Sequence, residues 1–275
     1  MQLGLTLPSF VEDPEIPIAV ARAAEVSGVN GVFAFDHLFR DAPNGDRRPS
    51  IECSTLLGAV AAETDRIALG SLVARATLRP PASTAAIFDT LARIVGNRLI
   101  VGVGAGDEQS RDEMETFGLG LGTMSERLAA LRSTVEAMQG HGYPVWAGGT
   151  PKHVGPIAAE LADGWNCWGA RADHFAAMAS DVIGIRERIR GTASGFTVSW
   201  GGQVVLGENE QDAAAKADRL AVGDHVLVGG PERVAEAILE RRDAGATWAI
   251  IGPVDSSNPV NAAIVGELLS PLVAG

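Results

Sequence analysis

The chain has 275 residues, 46% hydrophobic and 20% charged, with two cysteines and a formal net charge of −12. That balance fits a globular chain with a large core and excludes several classes. It lacks the basic surplus that grips nucleic acid, any run of roughly 18 apolar residues to cross a bilayer, and the cysteine spacing of a metal site or disulfide framework.

In chain order, the first apolar stretch begins at Gln2 with no basic region before it. It reads as a strand rather than a signal peptide, which places the protein in the cytoplasm as an expectation. Further apolar runs at 31–35, 67–73, 99–103, 144–147, 164–168, 197–205 and 247–251 join the one at 2–7 to give eight segments. Most are continuous rather than alternating, as strands covered on both faces are.

Between them, alanine- and leucine-rich stretches with helical spacing occupy 14–27, 55–64, 81–95, 125–138, 151–161, 173–190, 210–220 and 231–243. Thr150 before Pro151 and Gly230 before Pro231 read as helix caps with first-turn prolines. Gly28, Gly96, Gly140 and Gly245 read as stops. Alternation without an antiparallel block leaves a doubly wound sheet or a closed barrel, and eight strands favour a (β/α)8 TIM barrel, a single α/β domain over 1–275. The polar loops 40–49 and 107–123 are placed to cover its mouth.

Polar chemistry gathers where these strands run out, as at a barrel's catalytic face. Asp36-His37 follows the second strand, and Gly104-Ala-Gly106-Asp107 follows the fourth. A histidine suits proton exchange, while a carboxylate after alternating glycines has a backbone that lets a ligand approach, or is a plain helix cap. Gly148-Gly149-Thr150 and Gly229-Gly230 set amides at helix starts, where phosphate binds, or are tight turns. Trp146, Trp165, Trp168 and Trp200 fill the core or wall a flat-ring pocket. The two cysteines are expected in the core or on helix faces. Gly102-Val-Gly-Ala-Gly106 has Asp107 where a dinucleotide fingerprint needs glycine or alanine, so that reading fails. No metal-binding set is expected.

In order along the chain, Gly4-Leu-Thr-Leu-Pro8, Phe35-Asp36-His37, Thr64-Asp-Arg-Ile67, Gly102 to Gly106, Glu126-Arg127-Leu128, Val145-Trp-Ala-Gly-Gly149, Ala162-Asp-Gly-Trp165 and Gly229-Gly-Pro-Glu232 resemble the bacterial luciferase-like oxidoreductases. The resemblance implies a TIM-like barrel with a flavin or the deazaflavin coenzyme F420 at its strand ends. The Asp-His pair is similar to the signature of the F420-dependent branch, with FMN as the alternative cofactor. It further implies catalytic roles for His37, Asp36 and Asp107, where the family's usual acid is glutamate. Cofactor contacts are implied at Asp36, His37, Ser71, Leu72, Val73, Arg75, Gly104, Gly106, Ser110, Gly148, Gly149, Thr150, Gly229 and Gly230, and a cis peptide at Leu72-Val73. The function expected is hydride transfer between F420 and a small-molecule substrate. An FMN-dependent monooxygenase and a non-catalytic flavin-binding barrel are the alternatives, and the protein is expected to be a homodimer.

Overall fold

A computed structural model describes residues 1–41 and 45–274. Eight parallel strands close into a barrel in chain order: β1 (Gln2–Thr6), β2 (Gly31–Ala34), β5 (Ala68–Arg75), β6 (Leu99–Gly104), β7 (Val145–Gly148), β8 (Gly164–Trp168), β9 (Thr197–Leu206) and β11 (Trp248–Pro253). Gln2 opposite Trp248 and Trp165 opposite Val198 are among the pairings that complete the ring. These are the eight strands expected from the sequence.

Three short strands were not expected. β3 (Phe39–Asp41) and β4 (Arg47–Pro49) form an antiparallel hairpin inside the first long loop. β10 (Leu227–Gly229) pairs with the end of β9. The hairpin corrects the expected lack of antiparallel structure. Its charged sequence hides it, since only Phe39 is buried.

The helices are α1 (Glu15–Ser27), α2 (Cys53–Ala62), α3 (Pro81–Val95), α4 (Arg111–Thr116), α5 (Met124–Ala137), α6 (Gly155–Leu161), α7 (Ala172–Arg190), α8 (Glu210–Leu220) and α9 (Pro231–Asp243). α10 (Val260–Ala263), a π-helical turn (Ile264–Leu269) and α11 (Ser270–Val273) close the described chain. α2 starts earlier than the expected Thr55 because the Glu52 carboxylate accepts the Thr55 N–H and caps it. α5 begins with a reciprocal capping box between Thr123 and Glu126. α6 starts at Gly155, not after Thr150. Its first-turn proline is Pro156, and residues 151–154 form turns, so Thr150 is not its cap.

Large rings fill the barrel's interior, and glycines face them. Phe33, Leu72, Ile100, Trp146 and Ile250 form the inner cluster, with Trp248 packed against it. The Phe33 ring lies 6.0 Å from Trp146 and 5.7 Å from Trp248. A Cβ on Gly4 or Gly70 would come within 2.7 Å of Phe33, so absent side chains on neighbouring strands make room for this ring. Trp165 instead stacks on Phe175 of α7, and Trp200 lies beneath the Arg241 guanidinium, both in the outer layer between strands and helices. Cys53 and Cys167 are buried. Among the described residues, no helix is long and apolar enough to cross a membrane.

Candidate active site at the C-terminal rim of the barrel

Chain direction puts the ends of β2, β5, β6, β7 and β8 on one rim. Asp36 and His37 leave β2 there and separate at once. The Asp36 side chain is almost wholly enclosed, 1% exposed, and the Arg79 guanidinium grips it through both oxygens, at 2.8 and 3.1 Å. It also accepts the Arg75 backbone N–H at 2.9 Å. Arg79 continues to Glu52 at 2.6 Å. Burial, with Asp36 and Glu52 nearby, pushes the Cys53 thiol up and leaves it protonated. Asp36 thus ties the ends of β2 and β5 together.

His37 turns the other way, with 38% of its side chain exposed. Its Nδ1 lies 3.0 Å from Glu113 Oε2. The Phe10 and Phe35 rings flank it at 5.5 and 6.5 Å. Glu113, on α4, is 5% exposed and also binds Arg75 at 2.8 Å; Arg75 itself is 4% exposed. Glu113 accepts the Leu38 backbone N–H as well. Burial works against its ionisation, but the hydrogen bonds from His37 and Leu38 and the Arg75 charge outweigh it and hold the carboxyl at about 2. Sequence reasoning missed Glu113, Arg79 and Glu52.

The other expected site residues divide into three groups. Ser71 is fully buried and donates to the Gly102 carbonyl at 2.8 Å. The Leu72-Val73 peptide is cis, as expected. A Cβ on Gly102, Gly104 or Gly148 would approach Val73 to between 2.4 and 3.2 Å, so three glycines on β6 and β7 leave a shallow floor around that side chain. Gly106 has φ +73° and packs against the Arg75 stem, where a side chain would be strained.

Asp107 is exposed and accepts the Ser110 N–H at 3.2 Å and hydroxyl at 3.1 Å, capping a 3₁₀ turn (Glu108–Ser110). It does not join the His37 cluster through any hydrogen bond or ion pair among the described residues.

The two glycine turns are less free than expected. The Gly149 N–H donates to the Asn166 carbonyl at 3.1 Å, while the N–H groups of Thr150 and Lys152 have no acceptor among the described residues. The Gly230 N–H donates to Glu210 Oε1 at 2.7 Å. That amide is therefore already engaged in this structure, where an acidic side chain from α8 meets the positive end of α9.

Trp168 closes the far side of the mouth. The residue is 41% exposed. It lies over Gly201 and Gly252, whose added Cβ atoms would meet it at 2.6 and 2.9 Å, and it meets Phe35 edge-on at 5.8 Å. The rim is thus aromatic above β8, β9 and β11 and glycine-floored above β5, β6 and β7, with His37, just beyond β2, between them.

A model of the luciferase-like monooxygenase family matches residues 1–224. The chain belongs to this family. Among relatives of this luciferase-like protein, an F420-dependent glucose-6-phosphate dehydrogenase of Beutenbergia cavernae is 33% identical over 149 residues, covering 54% of this chain and 42% of the relative. The matched segment thus spans less than half of that enzyme. An uncharacterized protein of Mycobacterium tuberculosis is 26% identical over 217 residues, covering 66% of this chain and 74% of its own. In structure, an F420-dependent secondary alcohol dehydrogenase superposes with a TM-score of 0.83 at 17% identity, covering 99% of this chain and 98% of the other. The monooxygenase RslO1 of Streptomyces bottropensis gives 0.76 at 21% identity, with 98% and 99% covered. At such identities the structural likeness establishes the fold.

Proposed function

We propose that this luciferase-like protein is an F420-dependent oxidoreductase acting on a small organic substrate at the C-terminal rim, with His37 as the group that exchanges a proton. The observation carrying this reading is the half-exposed His37 imidazole, held through Nδ1 beside the glycine-floored part of the mouth. The donor set suits a flat heterocycle. Val73 and the cis peptide form its floor, Gly104 and Gly148 withhold side chains, and Trp168 and Phe35 supply apolar edges. The free N–H groups of Thr150 and Lys152 suit a phosphate, and the Lys152 ammonium forms no ion pair among the described residues. This support moves the phosphate from the Gly229-Gly230 turn to the Gly148-Gly149-Thr150 turn.

When bound, the deazaflavin accepts or gives a hydride. The chain's own task is to position and manage protons. His37 Nε2 takes the proton that leaves a substrate hydroxyl, or returns it to a carbonyl oxygen in the reverse direction. Asp36 holds the histidine's strand end by its clamp on Arg79. Asp107 is not placed to share a proton with His37 directly, and its proposed part is to order the loop carrying Ser110.

Titrating the cofactor-free protein with F420 and with FMN, while following tryptophan fluorescence, tests the choice of cofactor. Quenching by F420 with weak or absent response to FMN is expected. Tight FMN binding without response to F420 overturns the reading in favour of the FMN-dependent monooxygenases of the family.

A further inference from the structure

We infer that Glu113 is a positioning residue that locks His37 in its Nδ1–H tautomer, leaving Nε2 as the proton-accepting atom at the barrel mouth. The inference deepens the proposed role of His37 and rests on it.

Hydrogen counting carries the argument. An ionised carboxylate only accepts, and Glu113 is ionised at neutral pH because its carboxyl is held at about 2. Its Oε2 sits 3.0 Å from His37 Nδ1. That contact is a hydrogen bond only when Nδ1 carries the proton. Arg75 Nη2 approaches the same Nδ1 at 3.0 Å, but it also lies 3.1 Å from the Asp36 carbonyl and 2.8 Å from Glu113 Oε2. Nη2 has two hydrogens and three neighbours.

Giving those hydrogens to the carbonyl and the carboxylate leaves Nδ1–H free to donate to Oε2. Both Nη2 hydrogens, the Nδ1 proton and the two oxygens then all have partners, and within the Arg75 guanidinium only Nη1 is buried without one. Giving one to Nδ1 instead deprives an oxygen of its donor and faces an imidazole lone pair with a carboxylate. In a cluster whose Arg75 and Glu113 side chains are 4% and 5% exposed, such a mismatch is costly.

The second oxygen strengthens the assignment. Glu113 Oε1 accepts the backbone N–H of Leu38, the residue after His37. One carboxylate therefore grips both the ring and the chain that carries it. The anchored edge of the imidazole lies against a buried ion pair, while the Nε2 edge has no partner among the described residues.

Nitrogen-15 spectra of the histidine-labelled, cofactor-free protein test this, with His37 assigned by its loss in His37→Asn. At alkaline pH, where the ring is neutral, the native protein is expected to show a protonated Nδ1 and an imine-type Nε2. In Glu113→Gln, the amide oxygen must still accept from Leu38, so its NH2 turns to Nδ1 and the tautomer inverts; Glu113→Asp keeps the native form. A native chain with protonated Nε2, or a Glu113→Gln chain with unchanged tautomer, overturns the inference. The measurement on the native chain decides even if the glutamine variant fails to fold.

In turnover with F420 and any accepted substrate, Glu113→Gln should lower kcat by roughly 10²-fold with little change in cofactor affinity. It should cost nothing further in a His37→Asn background. A residue that merely supported the fold would lower activity again there. Because the tautomer is read without cofactor, failure to bind F420 counts against the proposed function and not against this assignment.

Discussion

Arginines serve opposite purposes at the two ends of this barrel. At the N-terminal end, Arg186 and Arg190 line a cavity of about 300 Å³ between α5, α6 and α7. Arg186 donates to the carbonyls of Ala159 at 2.9 Å and Ala162 at 3.3 Å, and Arg190 donates to that of Glu160. Both complete the carbonyl end of α6. At the C-terminal end, Arg75 and Arg79 face carboxylates and the site histidine. This cavity and the His37 cluster thus lie at opposite ends of the barrel.

Breaking the upper network should have the largest effect. Asp36→Ala removes three hydrogen bonds and strips Arg79 of a buried partner, and it is expected to lower unfolding free energy by about 3–5 kcal/mol, measured by urea unfolding. A loss below about 1 kcal/mol would mean that Glu52 alone satisfies Arg79.

His37→Ala sharpens the contrast in function. Turnover should fall by roughly 10²–10⁴-fold while cofactor affinity, read by fluorescence titration, changes little. Equal activity in the variant would remove His37 from the chemistry.

Acid separates the two ends further. Glu113 ionises at about 2 in the fold against an ordinary value of 4.5, so its stabilising contribution is complete above 4.5 and is lost as pH falls from there towards 2. The difference corresponds to about 3 kcal/mol. Comparing urea unfolding of the native chain and Glu113→Gln from pH 7 down to pH 3 should show their stability gap narrowing with acid. A constant gap would contradict the depressed ionisation.

The smallest effect belongs to the lower end. Arg186→Met should cost about 1 kcal/mol, the typical value of a helix-end hydrogen bond, and leave fluorescence titration with the cofactor unchanged.

The barrel was legible because continuous apolar runs and spaced alanine–leucine stretches carry its alternation directly. That His37 stands at the rim was legible from its place after β2. Glu113 was not, because it stands in a run with Asp107, Glu108, Asp112 and Glu115, and nothing local tells one carboxylate from the next. A faint signal existed in Met114 beside it, since a fully buried methionine in a charged stretch marks the inward face of α4. Thr150 misled because two prolines, Pro151 and Pro156, compete as helix starts and the second prevails. The hydrogen bond from Gly230 to Glu210 was out of reach as well, since it joins residues twenty apart across two helices.

The aromatic plug of Phe33, Trp146 and Trp248 has a kinetic corollary. With the axis filled by these rings, the proposed heterocycle over Val73 would be reached from the rim, so it should enter before a substrate that lies over it and depart after. On the proposed reading the two reactants bind in a compulsory sequence, and an excess of the outer one should trap the inner one in place.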